Sequence, residues 1–148
     1  MSADGALSLG IGGLGAGLPA ELAVIAGLAA IQLVLIFVQQ IHNDLDKGAA
    51  WALSNRADQA FSPFGARVGR ALANHVENTV IFAPVALIVV IAELATPVTG
   101  IASLVYLGAR VVYAASYVAG IIGLRSAAWF VGVFATVATG WPIIGALI

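Results

Sequence analysis

The sequence has no cysteine among its 148 residues. Disulfides, thiolate metal sites and a protein thiol nucleophile are therefore excluded. Charge is scarce too. Asp, Glu, Lys and Arg make up 9% of the chain, against about 25% in an ordinary soluble domain. Six basic and seven acidic residues leave a net charge of −1, so there is no basic footprint for nucleic acid. The two histidines, His42 and His75, are too isolated to build a metal site and read as interfacial side chains. The first 18 residues are rich in Gly, Ala and Leu but contain no Lys or Arg. Without a basic n-region, no cleaved signal peptide is expected, and Met1 to Leu18 reads as a flexible tail.

What is present is apolar. Hydrophobic residues account for 61% of the chain, and mean hydropathy is +1.05. A soluble fold of this size leaves roughly a third of its surface facing water, too much for this composition. Membrane residence follows. A span needs about 20 apolar residues, and four segments qualify: about 20–42, 67–95, 98–123 and 127–147. Helices are expected, because a lone open sheet cannot satisfy its backbone in lipid. The fold class is thus an all-α integral membrane protein, a single four-helix bundle over 1–148.

The connections have their own signals. Thr96-Pro97 ends the second helix and starts the third, since Pro is favoured at a first helical position. Gly123-Leu124-Arg125-Ser126 reads as the third turn, with Ser126 as N-cap. The loop over 43–65 carries Asp44, Asp46, Lys47, Arg56 and Asp58, and the first helix is expected to extend into it to about Ser54. Pro84 should bend the second span. Lys47, Arg56, Arg67 and Arg70 cluster at the first loop and Arg125 at the third, whereas both termini and the second loop lack Lys and Arg. The positive-inside rule then puts loops one and three in the cytoplasm and both termini outside.

Two polar constellations interrupt the apolar runs. The second span contains R-A-L-A-N-H-V-E-N, with Arg70, Asn74, Glu77 and Asn78. At about 100° per residue these four fall on one stripe about 100° wide. The third span contains A-R-V-V-Y-A-A-S-Y, and Arg110, Tyr113 and Tyr117 share a face with Ser103 and Tyr106. Ionisable groups at bilayer depth are costly and mark functional sites by default. Glu77 and Arg110, on different helices, could neutralise each other. Ion pairs that only lock helices together would explain those two, but not Arg70, Asn74, Tyr113, Tyr117 and Arg125 as well. Arginine forks suit a carboxylate and stay charged when desolvated, so an anionic ligand is expected. On a continuous third helix Arg125 would stand about 22 Å from Arg110.

These motifs resemble the MAPEG family, the membrane-associated proteins of eicosanoid and glutathione metabolism. R-A-L-A-N-H-V-E-N is similar to that family's Arg, Asn and Glu pattern. L-V-Y-L-G-A-R-V-V-Y-A-A-S-Y followed by L-R-S is similar to its Arg, Tyr, Tyr and late Arg pattern, and the likeness spans roughly 67–127. The resemblance implies a homotrimer with glutathione bound as co-substrate at each subunit interface. It implies that Arg70, Asn74, Glu77, Asn78, Tyr113 and Tyr117 bind glutathione, and that Arg125, with Arg110 second, activates its thiol. The other partner would be a lipophilic electrophile or lipid hydroperoxide from the bilayer, and the setting a bacterial inner membrane. Leu72 and Asn78 depart from some members, which carry a polar residue and Tyr there. The alternative is a non-catalytic lipid-binding, glutathione-binding or scaffold protein of the same fold. A transporter would need a polar path outward, yet Ile81 to Ile91 offers no polar side chain.

Overall fold

The computed structural model describes residues 17–56 and 61–148. The tail over 1–16 and Asp58 lie outside them. The described residues form five helices: α1 Ala20–Lys47, the single turn α2 Ala49–Ala52, α3 Pro63–Ile91, α4 Pro97–Ala119 and α5 Ile122–Leu147. The four long helices are each long and apolar enough to cross a membrane. All backbone bonding in such a span is internal to its helix, which is what lipid requires.

Helix ends follow local chemistry. Thr96 caps α4: its side chain accepts from Thr99 N at 3.2 Å, while Thr99 Oγ1 accepts from Thr96 N at 2.8 Å. Pro97 occupies the first turn, as expected from the sequence. Ser62 caps α3, accepting from Gly65 N at 3.2 Å. The first helix does extend into the loop, but it breaks at Gly48, where φ is 84°. α3 runs on through Pro84 as one helix.

The third turn differs from the sequence expectation. α4 stops at Ala119, and Gly120 takes the left-handed conformation with φ 81°. Ile121 follows, and α5 starts at Ile122. Glycine adopts this backbone at little cost, so either Gly120 or Gly123 could have ended the helix. The earlier one does. Ser126 is therefore no N-cap; it donates within α5 to Ile122 O at 3.2 Å. Arg125 belongs to the first turn of α5 rather than the end of α4.

Pair contacts give the topology. His42 meets Ser62 at 2.7 Å and His75 meets Leu28 O at 3.0 Å, so α1 and α3 are antiparallel. Thr99 Oγ1 donates to Glu21 Oε1 at 2.6 Å, joining the starts of α1 and α4, which run parallel. Ser103 on α4 meets Thr139 on α5 at 3.4 Å. The result is an up-down-up-down bundle. One apolar core gathers Val24, Leu28, Phe82, Ala86, Tyr106 and Ala135. Leu33, Val34, Phe37 and Ile41 face outward, as lipid-facing residues do.

Small residues let the helices approach. A Cβ on Gly27 would lie 3.0 Å from Leu107 Cδ2, and one on Gly140 3.0 Å from Val85 Cγ1. Gly108 and Gly123, by contrast, face open space. His75 is not interfacial. It is fully buried between α3 and α1.

Candidate functional site

The two constellations do meet, but not by the pairing expected. Arg110 is 2% exposed. Its Nη1 donates to Asn74 Oδ1 at 3.2 Å, and its guanidinium lies 4.5 Å from the Tyr113 ring centre. Asn74 thus takes the place expected for Glu77. The reason is helical register. Asn74 and Asn78 stand on the side of α3 that faces α4, while Arg70 and Glu77, on the other edge of the same stripe, are exposed on the single subunit. A stripe about 100° wide cannot turn both edges to one neighbour.

Asn78 acts behind Asn74. Its Nδ2 donates to Asn74 O at 2.9 Å and to Asn74 Oδ1 at 3.2 Å. Its own carbonyl accepts Tyr106 Oη at 3.0 Å, and the Tyr106 ring stacks on Phe82 at 3.9 Å. This chain pins the Asn74 amide and, through it, Arg110. Two donor nitrogens of Arg110 are left over: Nε and Nη2 are buried and bond nothing among the described residues. A guanidinium has five donors, and burying some without a partner is costly.

In front of this wall lies a cavity of about 300 Å³, lined by Asn74, Tyr113, Tyr117, Arg125, Ser126, Trp129 and Phe130. Tyr113 and Tyr117 meet edge to face at 5.5 Å. Arg125 lies 4.7 Å from the Tyr117 ring centre. Gly120 makes this possible: by reversing the chain early, it folds the first turn of α5 back over the end of α4. The Arg125 that a straight helix would carry away from Arg110 now covers the same tyrosine face.

Of the residues picked out by sequence, Asn74, Tyr113, Tyr117 and Arg125 line this cavity. Arg110 is bonded to its wall and Asn78 supports it. Arg70 and Glu77 lie outside it on the flank of α3. Ser126, Trp129 and Phe130 were missed. With α5 starting at Ile122, Arg125, Ser126, Trp129 and Phe130 fall on one face at helical spacing, a pattern that the misplaced turn hid. The site is therefore polar towards α3 and α4 and aromatic towards α5.

A four-helix membrane bundle with Asn, Arg and Tyr converging between its second and third spans can be compared with known families. The model of the MAPEG family matches residues 22–145. The chain belongs to the MAPEG family. No curated protein and no solved structure matches it. As a MAPEG protein with four membrane-crossing helices, the chain is a multi-pass membrane protein. The MAPEG match covers all four spans and so extends the resemblance over α1 and most of α5, where sequence motifs alone carried none.

Proposed function

We propose that this protein is a membrane-embedded glutathione-dependent transferase, which joins the thiolate of glutathione to a lipophilic electrophile. Reduction of a lipid hydroperoxide at the same thiolate is the closely related chemistry. One observation carries the reading: Arg110, buried beside a polar cavity, has two donor nitrogens with no partner among the described residues. Arginine pairs strongly and often bidentately with carboxylates, and glutathione carries two. Family membership supports glutathione as the thiol.

The division of labour follows from position. Asn74, Tyr113 and Tyr117 supply neutral hydrogen-bonding groups, and Arg110 supplies charge from behind them. Arg125 is held over Tyr117 and supplies the second cation. A free thiol with a pKa of about 8.5 is only a few per cent thiolate at neutral pH. A guanidinium beside the sulfur favours the anion and raises that fraction. The thiolate then forms the new S–C bond as the electrophile's leaving group departs, or as its double bond accepts the electron pair. Trp129 and Phe130 give the electrophile an apolar wall reachable from lipid. Holding a water-soluble thiol against a lipid-dissolved partner is itself a rate advantage.

Arg70 and Glu77 enter at the level of assembly. They are exposed on one subunit, and unpaired charges facing hydrocarbon would be costly. A homotrimer that places this flank of α3 against a neighbour gives them a setting and lets both grip glutathione. Loops one and three face the cytoplasm and the termini lie outside, in a bacterial inner membrane. The test is turnover in proteoliposomes with an activated aryl halide and glutathione. Conjugate formation above the uncatalysed rate supports the transferase. Tight glutathione binding without turnover would instead favour the non-catalytic alternative.

A further inference from the structure

A second cavity lies away from the α3–α4–α5 site. It is a groove of about 590 Å³ between α1 and α4, with Phe64 of α3 lining one end. Its walls are Ile31, Val34 and Val38 on one side and Ala114, Ala115 and Val118 on the other. No side chain lining it is polar. The small residues of α4 make the depth: an alanine pair on one wall faces branched side chains on the other.

Its length is informative. The lining runs from Ala30 to Val38 on α1 and from Val111 to Ala119 on α4. Each stretch rises about 12 Å at 1.5 Å per residue. One leaflet of hydrocarbon is about 15 Å thick. Since Ala119 is the last residue of α4, the groove starts at the helix ends and reaches to about mid-bilayer.

A cation sits at that end. Arg67 Nε donates to Val118 O at 3.1 Å, and the guanidinium lies 5.9 Å from the Phe64 ring centre. Both of those residues line the groove. Arg67 is thus fixed at the mouth by its Nε, and its two Nη groups make no hydrogen bond among the described residues. Phosphate is the ligand that such a fork fits at headgroup level, above an apolar slot one leaflet deep.

We propose that the α1–α4 groove binds an anionic phospholipid, with one acyl chain along Ala114 and Ala115 and the phosphate on Arg67. This lipid is a resident structural ligand, distinct from the electrophile and from the thiol site. It packs α1 against α4, and its phosphate shields the end of α4 that Arg67 caps.

The test offers delipidated full-length protein equimolar dioleoyl phosphatidylglycerol and dioleoyl phosphatidylcholine and reads the retained lipid by native mass spectrometry. One well-placed cation gives about a fivefold preference for the anionic lipid. Arg67→Gln should bring the two lipids to parity, and Arg67→Lys, which keeps the charge, should retain the preference. Ala115→Trp, at an exposed position, should lower retention of both. Equal retention by the unmodified protein, or a preference that survives Arg67→Gln, overturns the proposal. Because the chain lacks cysteine, Ala115→Cys adds an independent reading in vesicles. Efficient disulfide cross-linking between copies would mean that a second subunit fills the groove, which also overturns it.

Discussion

The amide oxygen of Asn74 accepts Arg110 Nη1 at 3.2 Å. A buried guanidinium here rests on a neutral amide instead of a carboxylate, so its charge is left for something else to balance.

Arg110→Met separates binding from folding. Replacing a buried ion by an apolar side chain of similar length is often neutral or stabilising. Asn74 Oδ1 keeps its contact with Asn78 in that variant. Thermal unfolding in detergent should occur at an unchanged or higher temperature. Glutathione affinity should fall about thirtyfold, matching about 2 kcal/mol for hydrogen bonds to a charged group. A large loss of stability with intact affinity would make Arg110 a structural residue.

Arg125→Ala should keep most of the glutathione affinity and lose turnover. Without the cation the bound thiol returns towards its free pKa of about 8.5. Each unit of that rise costs about tenfold in thiolate at neutral pH. The rate–pH profile should therefore shift to higher pH, and Arg125→Lys should recover part of the shift. A profile that does not move would assign thiol activation to another group.

Trp129→Ala tests the aromatic wall. The ring lines the same cavity as Asn74 and does not belong to the polar set. Steady-state kinetics should show kcat/KM falling about tenfold for a bulky apolar electrophile, in line with losing 1–2 kcal/mol of apolar contact. The KM for glutathione should stay within about twofold, a difference of under 0.5 kcal/mol. Equal losses for both substrates would place Trp129 in the thiol subsite.

Thr99→Val addresses the other end of the bundle. Thr99 completes the Thr96 capping box and donates to buried Glu21. Its loss leaves a buried carboxylate oxygen and a helix-end N–H without their partner. Stability should drop by about 2 kcal/mol, read as a lower midpoint in denaturant titration. Glutathione binding at the proposed site, near the opposite end of α4, should be unaffected.

The long helices were legible because hydropathy and span length leave few alternatives in lipid, and Thr96-Pro97 marked one boundary to the residue. The Gly120 turn was not legible. Two glycines three residues apart both suit a helix end, and only packing of α5 on α4 decides between them. That one choice moved Arg125 to another helix and concealed Ser126, Trp129 and Phe130. The polar stripe on α3 was visible as a stripe, but which edge meets α4 depends on helix rotation, which spacing does not encode. So Asn74 and not Glu77 meets Arg110. His75 was likewise misread as interfacial, because nothing in its neighbours along the chain announces the Leu28 carbonyl on α1.

In the proposed function this cavity holds glutathione as a thiolate. Calorimetric titration of the detergent-purified protein with glutathione, followed in the same samples by the ultraviolet difference band of the thiolate, tests it most directly. Saturable binding is expected, with a thiolate band at neutral pH that disappears in Arg125→Ala. Absence of binding at millimolar glutathione would contradict it.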